Sequence, residues 1–409
     1  VDDGILPVLR EIRSGESAAA PDDAGSGRAD HGRVSTTWAL RKVARKPGLV
    51  LDETPVPSIR DDEVLVRVEA ASICGTDLHI FHWDPWSAHR IEPPVTIGHE
   101  FAGTVVEVGA GVRVVAPGDF VSAESHVTCG ACLFCRTGRA HMCEQTLILG
   151  VDRDGALAGY VAVPESVVWQ NDRSKLSPEI AALQEPFGNA VFATDHAELA
   201  GKTAAVLGCG PVGLFAIAIA RASGAGRILA SDRARFRLDL AESLGANALD
   251  VDACDDVPGW FHERNEGEGV DVVFEMSGAP AAIETAFRVV RNGGQVILFG
   301  IPAHPVEIDV AEAMIFRNLT VSAVNGRQIW ETWYKTRWLL EHGVVDLEPL
   351  VTDRLPLSAF EDAFAKLDAG EACKIVLWPD DGHAPVVAAP GSEPAAEATL
   401  AAPGPWVHR

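Results

Sequence analysis

The chain has 409 residues, 47% hydrophobic and 22% charged, with 58 acidic against 34 basic side chains and a formal net charge of −24. That length fits roughly two or three domains, and the composition is that of an ordinary soluble globular protein, which excludes a wholly disordered chain. So much negative charge repels phosphate backbones and anionic membrane surfaces, which argues against nucleic acid or membrane as the main partner.

Residues 1–36 are rich in Asp, Ala, Gly, Ser and Arg without sustained periodicity and read as a disordered N-terminal extension, with at most a short helix over Ile5–Arg13. The opening VDDG lacks an apolar run long enough for a secretory signal, which predicts a cytoplasmic protein. Residues 37–185 look β-rich: Val64–Val68 (VLVRV) and Val105–Val108 (VVEV) are short β-branched runs punctuated by Gly and Pro, predicting an antiparallel, partly closed sheet. Residues 186–325 change to alternation. Strands are predicted at Ala204–Leu207, Ile228–Ser231, Val272–Glu275 and Val296–Phe299, with helices at Val212–Ser223, Ala234–Leu244 and near Ala281–Val290. Strand–helix alternation of this kind gives βαβ units and a doubly wound parallel sheet, hence an α/β class. The uncharged stretch Thr203–Ala220 has the length of a membrane span, but Gly208, Gly210, Pro211 and Gly213 break it into strand, turn and buried helix. Residues 326–378, with a helix at Gln328–His342 and a strand at Lys374–Trp378, are expected to return to the first domain. The Ala/Pro-rich stretch 379–409 reads as a disordered tail.

Four of the eight cysteines fall in one short stretch, Cys129, Cys132, Cys135 and Cys143. Four thiolates at such spacing can close a tetrahedron around zinc and leave no position for substrate, which makes this a structural site. Buried free cysteines or an iron–sulfur cluster are the alternatives. Gly208-Cys-Gly210-Pro-Val-Gly213 follows a predicted strand and opens a predicted helix, the context a dinucleotide fingerprint requires. Asp232 ends the next strand, where a carboxylate accepts from ribose hydroxyls and repels a 2′-phosphate, favouring NAD over NADP. Arg233, Arg235 and Arg237 beside it pull the other way. A glycine-rich turn without nucleotide is the bland alternative. Cys74, His99 and Glu185 supply a thiolate, an imidazole and a carboxylate, a mixed set of the kind catalytic zinc takes. Singly, each reads as an ordinary buried or hydrogen-bonded residue.

Taken together, these marks resemble the zinc-dependent medium-chain alcohol dehydrogenases, which join a GroES-like β-rich catalytic domain to a Rossmann domain. The resemblance runs from about Trp38 to Trp378 and rests on ICGTDLH, GHEFAGTVVEVG, the four-cysteine lobe and GCGPVG. Narrower stretches, HIFHWDPWS, HVTCGAC, EPFGNAV, EMSGAP and ETWYK, are similar to the threonine-oxidising members rather than to sorbitol or butanediol dehydrogenases. The polar stretch VVWQNDRSKLSPE and the loop RVVAPGD depart from the family pattern. The resemblance implies oxidation of L-threonine at its 3-hydroxyl to 2-amino-3-ketobutyrate, with NAD, two zinc ions per chain and a homotetramer. It makes Cys74, His99 and Glu100 ligands of a catalytic zinc, with Glu185 an acidic residue near the metal that could alternate with Glu100. It makes Thr76 and His79 a proton relay, and it places His126 at the border of the substrate pocket. Val212, Asp232, Arg237, Phe299, Gly300, Ile301, Val324 and Asn325 become NAD contacts beside Gly208, Gly210 and Gly213. A polyol or diol dehydrogenase, or a nucleotide-binding paralogue without catalysis, are the competing readings.

Overall fold

The computed structural model describes residues Ser35–Pro379. The expectations for residues 1–34 and 380–409, including the short helix at Ile5–Arg13, lie outside the described residues.

Two sheets organise the site. The first has seven strands among the described residues. Its centre is Glu63–Ser72, where Val64, Val66 and Val68 are buried. Glu100–Val108 pairs antiparallel on one side of that strand, with Phe120–Ala123 and Val168–Gln170 beyond it. Lys374–Trp378 pairs antiparallel with the end of Glu63–Ser72 and carries Val351–Pro356 parallel at its outer side. A strand from the far end of the described chain, with Val376 opposite Ser72, therefore closes against the segment that leads into Cys74. A smaller sheet joins Val50–Pro55, Thr36–Lys42 and Val95–Thr96.

The second sheet has six strands, all parallel, in the order Asn247–Asp250, Arg227–Asp232, Thr203–Leu207, Val270–Glu275, Val290–Leu298, Thr320–Ala323. This is the doubly wound order, and its switch point lies between Thr203–Leu207 and Val270–Glu275. The central TAAVL is buried at every residue, as a parallel strand covered on both faces must be. Pro211 starts the following helix, Pro211–Ala222, at a position where its missing N–H costs nothing. The apolar stretch Thr203–Ala220 is thus strand, turn and buried helix. No helix among the described residues is long and apolar enough to cross a membrane.

Three expectations shift. The strand predicted at Val296–Phe299 begins already at Val290, directly from the helix Pro280–Val289, because Val290 pairs with Val270 before the ladder slips at Val272. The helix expected from Gln328 is shorter, Glu331–Glu341. Helices at Gly75–His82 and Gln184–Thr194 stand where no helix was anticipated. In the second, Pro186 is tolerated because it falls in the first turn. Gly188 is required by packing: a Cβ there would lie 2.8 Å from Cδ of Arg327. In the mostly exposed polar stretch after Val168, Asn171 alone of the polar side chains is buried, accepting from Gln184 (2.7 Å) and donating to Ser122 (2.8 Å). One apolar cluster runs from Ala102 and Phe120 through Phe187 to Val206 and Phe215, so both sheets share a core.

Candidate active site and cofactor cradle

Cys74 lies at the mouth of the first sheet, one residue after Ile73 hydrogen-bonds the C-terminal strand. Cys74 caps the helix Gly75–His82, its backbone N–H donating to the carboxylate of Asp77 at 2.9 Å. The C-x-x-D spacing is a capping box with a thiol in place of the hydroxyl. Thr76 therefore sits in the first helical turn, its Oγ1 3.7 Å from Sγ of Cys74. His79 is one turn on, largely exposed, with Nδ1 2.6 Å from a carboxylate oxygen of Asp84. Thr76 and His79 stand three residues apart on one helix, where such positions are neighbours: Thr76 turns to the thiol and His79 to Asp84.

The ligand atoms of Cys74, His99 and Glu100 all lie within 4.8 Å of one another. His99 and Glu100 are buried, and each keeps one buried polar atom without a partner, Nδ1 of His99 and Oε1 of Glu100. An orphaned buried polar atom costs about 1–3 kcal/mol, so two buried side chains that each keep one, with ligand atoms gathered beside a thiol, fit a bound cation. The field agrees. Burial opposes a charged His99, yet Cys74, Glu185 and Asp77 outweigh it and hold its pKa well above the usual value. A place that stabilises an imidazolium also stabilises a metal ion, and thiolate, imidazole and carboxylate are zinc ligands.

Glu185 stands outside that group. Its Oε1 accepts from Ser125 Oγ and from Arg327, each at 2.6 Å. Arg327 is 1% exposed and also binds Glu124, through Nε at 2.7 Å and through Nη2. It reaches Asn189 at 3.0 Å as well. Trp333 donates its indole N–H to Glu124 at 2.8 Å, and His126 Nδ1 lies 2.7 Å from the same carboxylate. One buried guanidinium thus joins the expected substrate-border histidine to the expected metal-side glutamate. Burial would raise the Glu124 pKa, but Arg327 and His126 outweigh it and hold it below the carboxylate range. Glu185 is lowered in the same way, against its burial, by Arg327 and His99. Sequence reading missed both Arg327 and Glu124. The available signal was the segment just before ETWYK, where a lone arginine reads as surface.

Cys129, Cys132, Cys135 and Cys143 also bring their sulfurs within 4.8 Å. Zn–S bonds of about 2.3 Å in a tetrahedron put sulfurs about 3.8 Å apart. Cys129 and Cys135 are at 3.9 Å, Cys132 and Cys135 at 3.5 Å. Backbone N–H groups of Cys129 and Cys132 already point at sulfurs of Cys143 and Cys129, both at 3.4 Å. Burial resists ionisation of Cys143, but N–H groups of Cys129 and Gln145 outweigh it and bring its thiol down to about 6. The four residues fit a closed zinc site.

The carboxyl ends of the parallel strands form the second cradle. Gly208, at φ +98°, closes on Ser277: a Cβ would lie 2.7 Å from the serine Cβ. At Gly213 a Cβ would lie 2.0 Å from the Gly208 carbonyl oxygen. Gly210 caps the helix Pro211–Ala222 and faces open space, with nothing within 4 Å of its Cβ position. Turn, open approach and close packing are the three tasks of a pyrophosphate loop, and the helix N-terminus behind it attracts anions. Val212 lies in that first turn. Asp232 ends its strand and accepts from the N–H groups of Cys209 (2.7 Å), Arg233 (2.8 Å) and Ala234 (2.9 Å). Of the neighbouring arginines, Arg233 pairs with Asp252, and Arg235 with Asp239 and Glu242. Arg237 keeps a buried, unpartnered Nε. Phe299, Gly300 and Ile301 follow the fifth strand, and Val324 and Asn325 the sixth, so every expected NAD contact lies on the same edge of the sheet.

The comparisons agree with this geometry. Residues 60–173 match the alcohol dehydrogenase GroES-like domain, and residues 211–341 match the zinc-binding dehydrogenase domain. An L-threonine 3-dehydrogenase of Symbiobacterium thermophilum is 46% identical over 348 residues, covering 85% of this chain and 99% of that protein. The crystal structure of 2R,3R-butanediol dehydrogenase from Bacillus subtilis superposes with a TM-score of 0.76 at 30% identity, covering 84% of this chain and 100% of the other. The alcohol dehydrogenase TADH from Thermus sp. ATN1 gives 0.76 at 30% identity, over 83% of this chain and 99% of its own. With a β-rich part that carries two cation-ready clusters, a doubly wound sheet that carries a dinucleotide cradle, and relatives matched almost end to end, the chain belongs to the zinc-dependent medium-chain alcohol dehydrogenase family.

Proposed function

We propose that this chain oxidises L-threonine at its 3-hydroxyl to 2-amino-3-ketobutyrate, using NAD and zinc. The observation that carries the chemistry is the trio Cys74, His99 and Glu100, whose ligand atoms all lie within 4.8 Å of one another. The threonine assignment is supported by the 46% identity to a threonine dehydrogenase along nearly its whole length.

Cys74, His99 and Glu100 would hold the catalytic zinc, and Cys129, Cys132, Cys135 and Cys143 the structural one. Zinc supplies Lewis acidity toward the substrate hydroxyl, and NAD supplies the hydride acceptor. The chain's own residues do the rest. Asp232 takes the adenosine ribose and disfavours a 2′-phosphate. Gly208, Gly210 and Gly213 admit the pyrophosphate, with Val212, Arg237, Phe299–Ile301, Val324 and Asn325 around the dinucleotide. His126, fixed by Glu124, borders the substrate, and Glu185, fixed by Arg327 and Ser125, keeps a negative charge on the metal side. Thr76 hands the hydroxyl proton outward, and the exposed His79, steadied by Asp84, releases it to solvent, as a histidine can near neutral pH.

We read residues 37–185 and 326–378 as the catalytic domain and 186–325 as the cofactor domain, in a cytoplasmic homotetramer. Ile315 and Phe316 are exposed apolar residues just before the edge strand Thr320–Ala323, a surface that a second copy would cover. The test is NAD reduction by purified, zinc-loaded protein offered L-threonine, serine, sorbitol and 2,3-butanediol. L-threonine should be the best of these. Turnover of butanediol or sorbitol without threonine would replace the substrate assignment with the diol or polyol reading, which the fold of the butanediol enzyme also supports.

A further inference from the structure

Glu100 is asymmetric. Its Oε2 accepts from Ser72 Oγ and from the ammonium of Lys374, while its Oε1 has no partner. Lys374 is 2% exposed and Glu100 1%, so water does not share these bonds. The same ammonium donates to the carbonyl of Ile73 at 2.8 Å. Ile73 precedes Cys74, and Glu100 follows His99. One buried lysine, delivered by the last strand, therefore ties together the two chain segments that carry the metal-ligand atoms.

We propose that Lys374 is a positioning residue of the metal centre: by occupying Oε2 of Glu100 and the Ile73 carbonyl, it leaves Oε1 as the atom that meets the metal and keeps the glutamate a weak, releasable ligand. The inference rests on the zinc reading above. A carboxylate that shares its charge with an ammonium attracts a divalent cation less than one that does not. Lys374 loosens the grip of Glu100 while holding its direction, which suits a site where substrate must find room at the metal.

The experiment follows the transfer of zinc from full-length, zinc-loaded protein to a colour-forming chelator, comparing wild type, Lys374→Met, Glu100→Gln and the double variant. Wild type must first show two zinc ions per chain; failure there defeats the zinc reading itself and is distinct from failure of this proposal. Lys374→Met is expected to release the faster-exchanging zinc about tenfold more slowly than wild type. In the Glu100→Gln background the same substitution should change nothing, because the effect needs the carboxylate. Release from Lys374→Met as fast as from wild type overturns the proposal, as does a slowing that persists without Glu100. A lysine with a merely structural role would not produce that dependence. If Lys374→Met does not fold, cobalt-substituted wild type and Glu100→Gln are compared by visible absorption. Different ligand-field bands support Glu100 as a ligand poised by Lys374, and identical bands overturn it.

Discussion

Arg327→Met tests the buried network most sharply. The guanidinium is shared by Glu124 and Glu185, with a 2.6 Å contact to Glu185 and a still closer one to Glu124, and all three side chains are buried. At an effective dielectric near 20, a contact of that length carries about 6 kcal/mol of attraction before desolvation is subtracted. Removing one partner of a buried pair typically costs about 3–5 kcal/mol net. With an unfolding entropy of about 2.1 cal/mol/K per residue, a loss of about 4 kcal/mol lowers the melting temperature of a chain this size by roughly 5 °C. The pH dependence carries the signature. In the wild type Arg327 holds Glu124 below its ordinary range against the effect of burial, so its contribution is present above the unfolded value of about 4.3 and fades as pH falls through the lower folded value. In Arg327→Met burial acts unopposed by the guanidinium and raises both carboxyls. The folded state then binds more protons than the unfolded one, and stability falls as pH rises above about 4.3. The gap between variant and wild type, measured by calorimetry on zinc-loaded protein, should be larger at about pH 8 than at about pH 5. A gap independent of pH, or one below about 1 °C at the higher pH, would refute the reasoning. Arg327→Lys, which keeps the charge and loses the fork, should fall between the two.

Chelator titration should abolish activity before it unfolds the protein, because a closed four-thiolate site exchanges more slowly than one with an open position; simultaneous loss would contradict two sites of different kind. Cys132→Ser should lower the melting temperature of the protein that does fold while leaving the affinity for NAD close to wild type. The glycine pair separates packing from binding. Gly213→Ala puts a Cβ 2.0 Å from a backbone oxygen and should cut stability, whereas Gly210→Ala meets nothing within 4 Å and should leave the melting temperature unchanged while weakening NAD binding in calorimetric titration. His79→Ala should reduce turnover with threonine and spare zinc content and NAD affinity, and a neutral effect on turnover would leave His79 a surface histidine bonded to Asp84.

What the sequence exposed was local. The GCGPVG loop, the four-cysteine run and the alternation over 186–325 are each encoded within a short window, where period and spacing speak directly. The residues that hold the site's charges in place are not. Arg327 meets Glu124 across 203 residues of chain and Lys374 meets Glu100 across 274. Neither has a spacing to read. A buried arginine or lysine also looks in sequence like any solvated one, since burial is a property of what packs around it. The helix at Gly75–His82 was hidden for a different reason: in ICGTDLH a β-favouring Ile73 precedes the cap and a glycine follows it, and a cysteine is a rare capping residue, so the box formed by Cys74 and Asp77 went unread.

The two hidden cations also say something about how the site is assembled. Both come after the cofactor-binding strands, Arg327 just past the last of them and Lys374 on the final strand of the described chain. Before those segments dock, Glu100, Glu124 and Glu185 would have to be buried without their partners, with Asp77 a fourth buried carboxylate. Burying unpaired charge is expensive enough that such a state leaves the carboxylates solvated or protonated instead. The metal-ligand geometry of Cys74, His99 and Glu100 is therefore a property of the closed chain. The ligands are all in place by residue 100, but the charges that fix their directions arrive only when Lys374–Trp378 pairs with Glu63–Ser72 and Arg327 slides past Gly188.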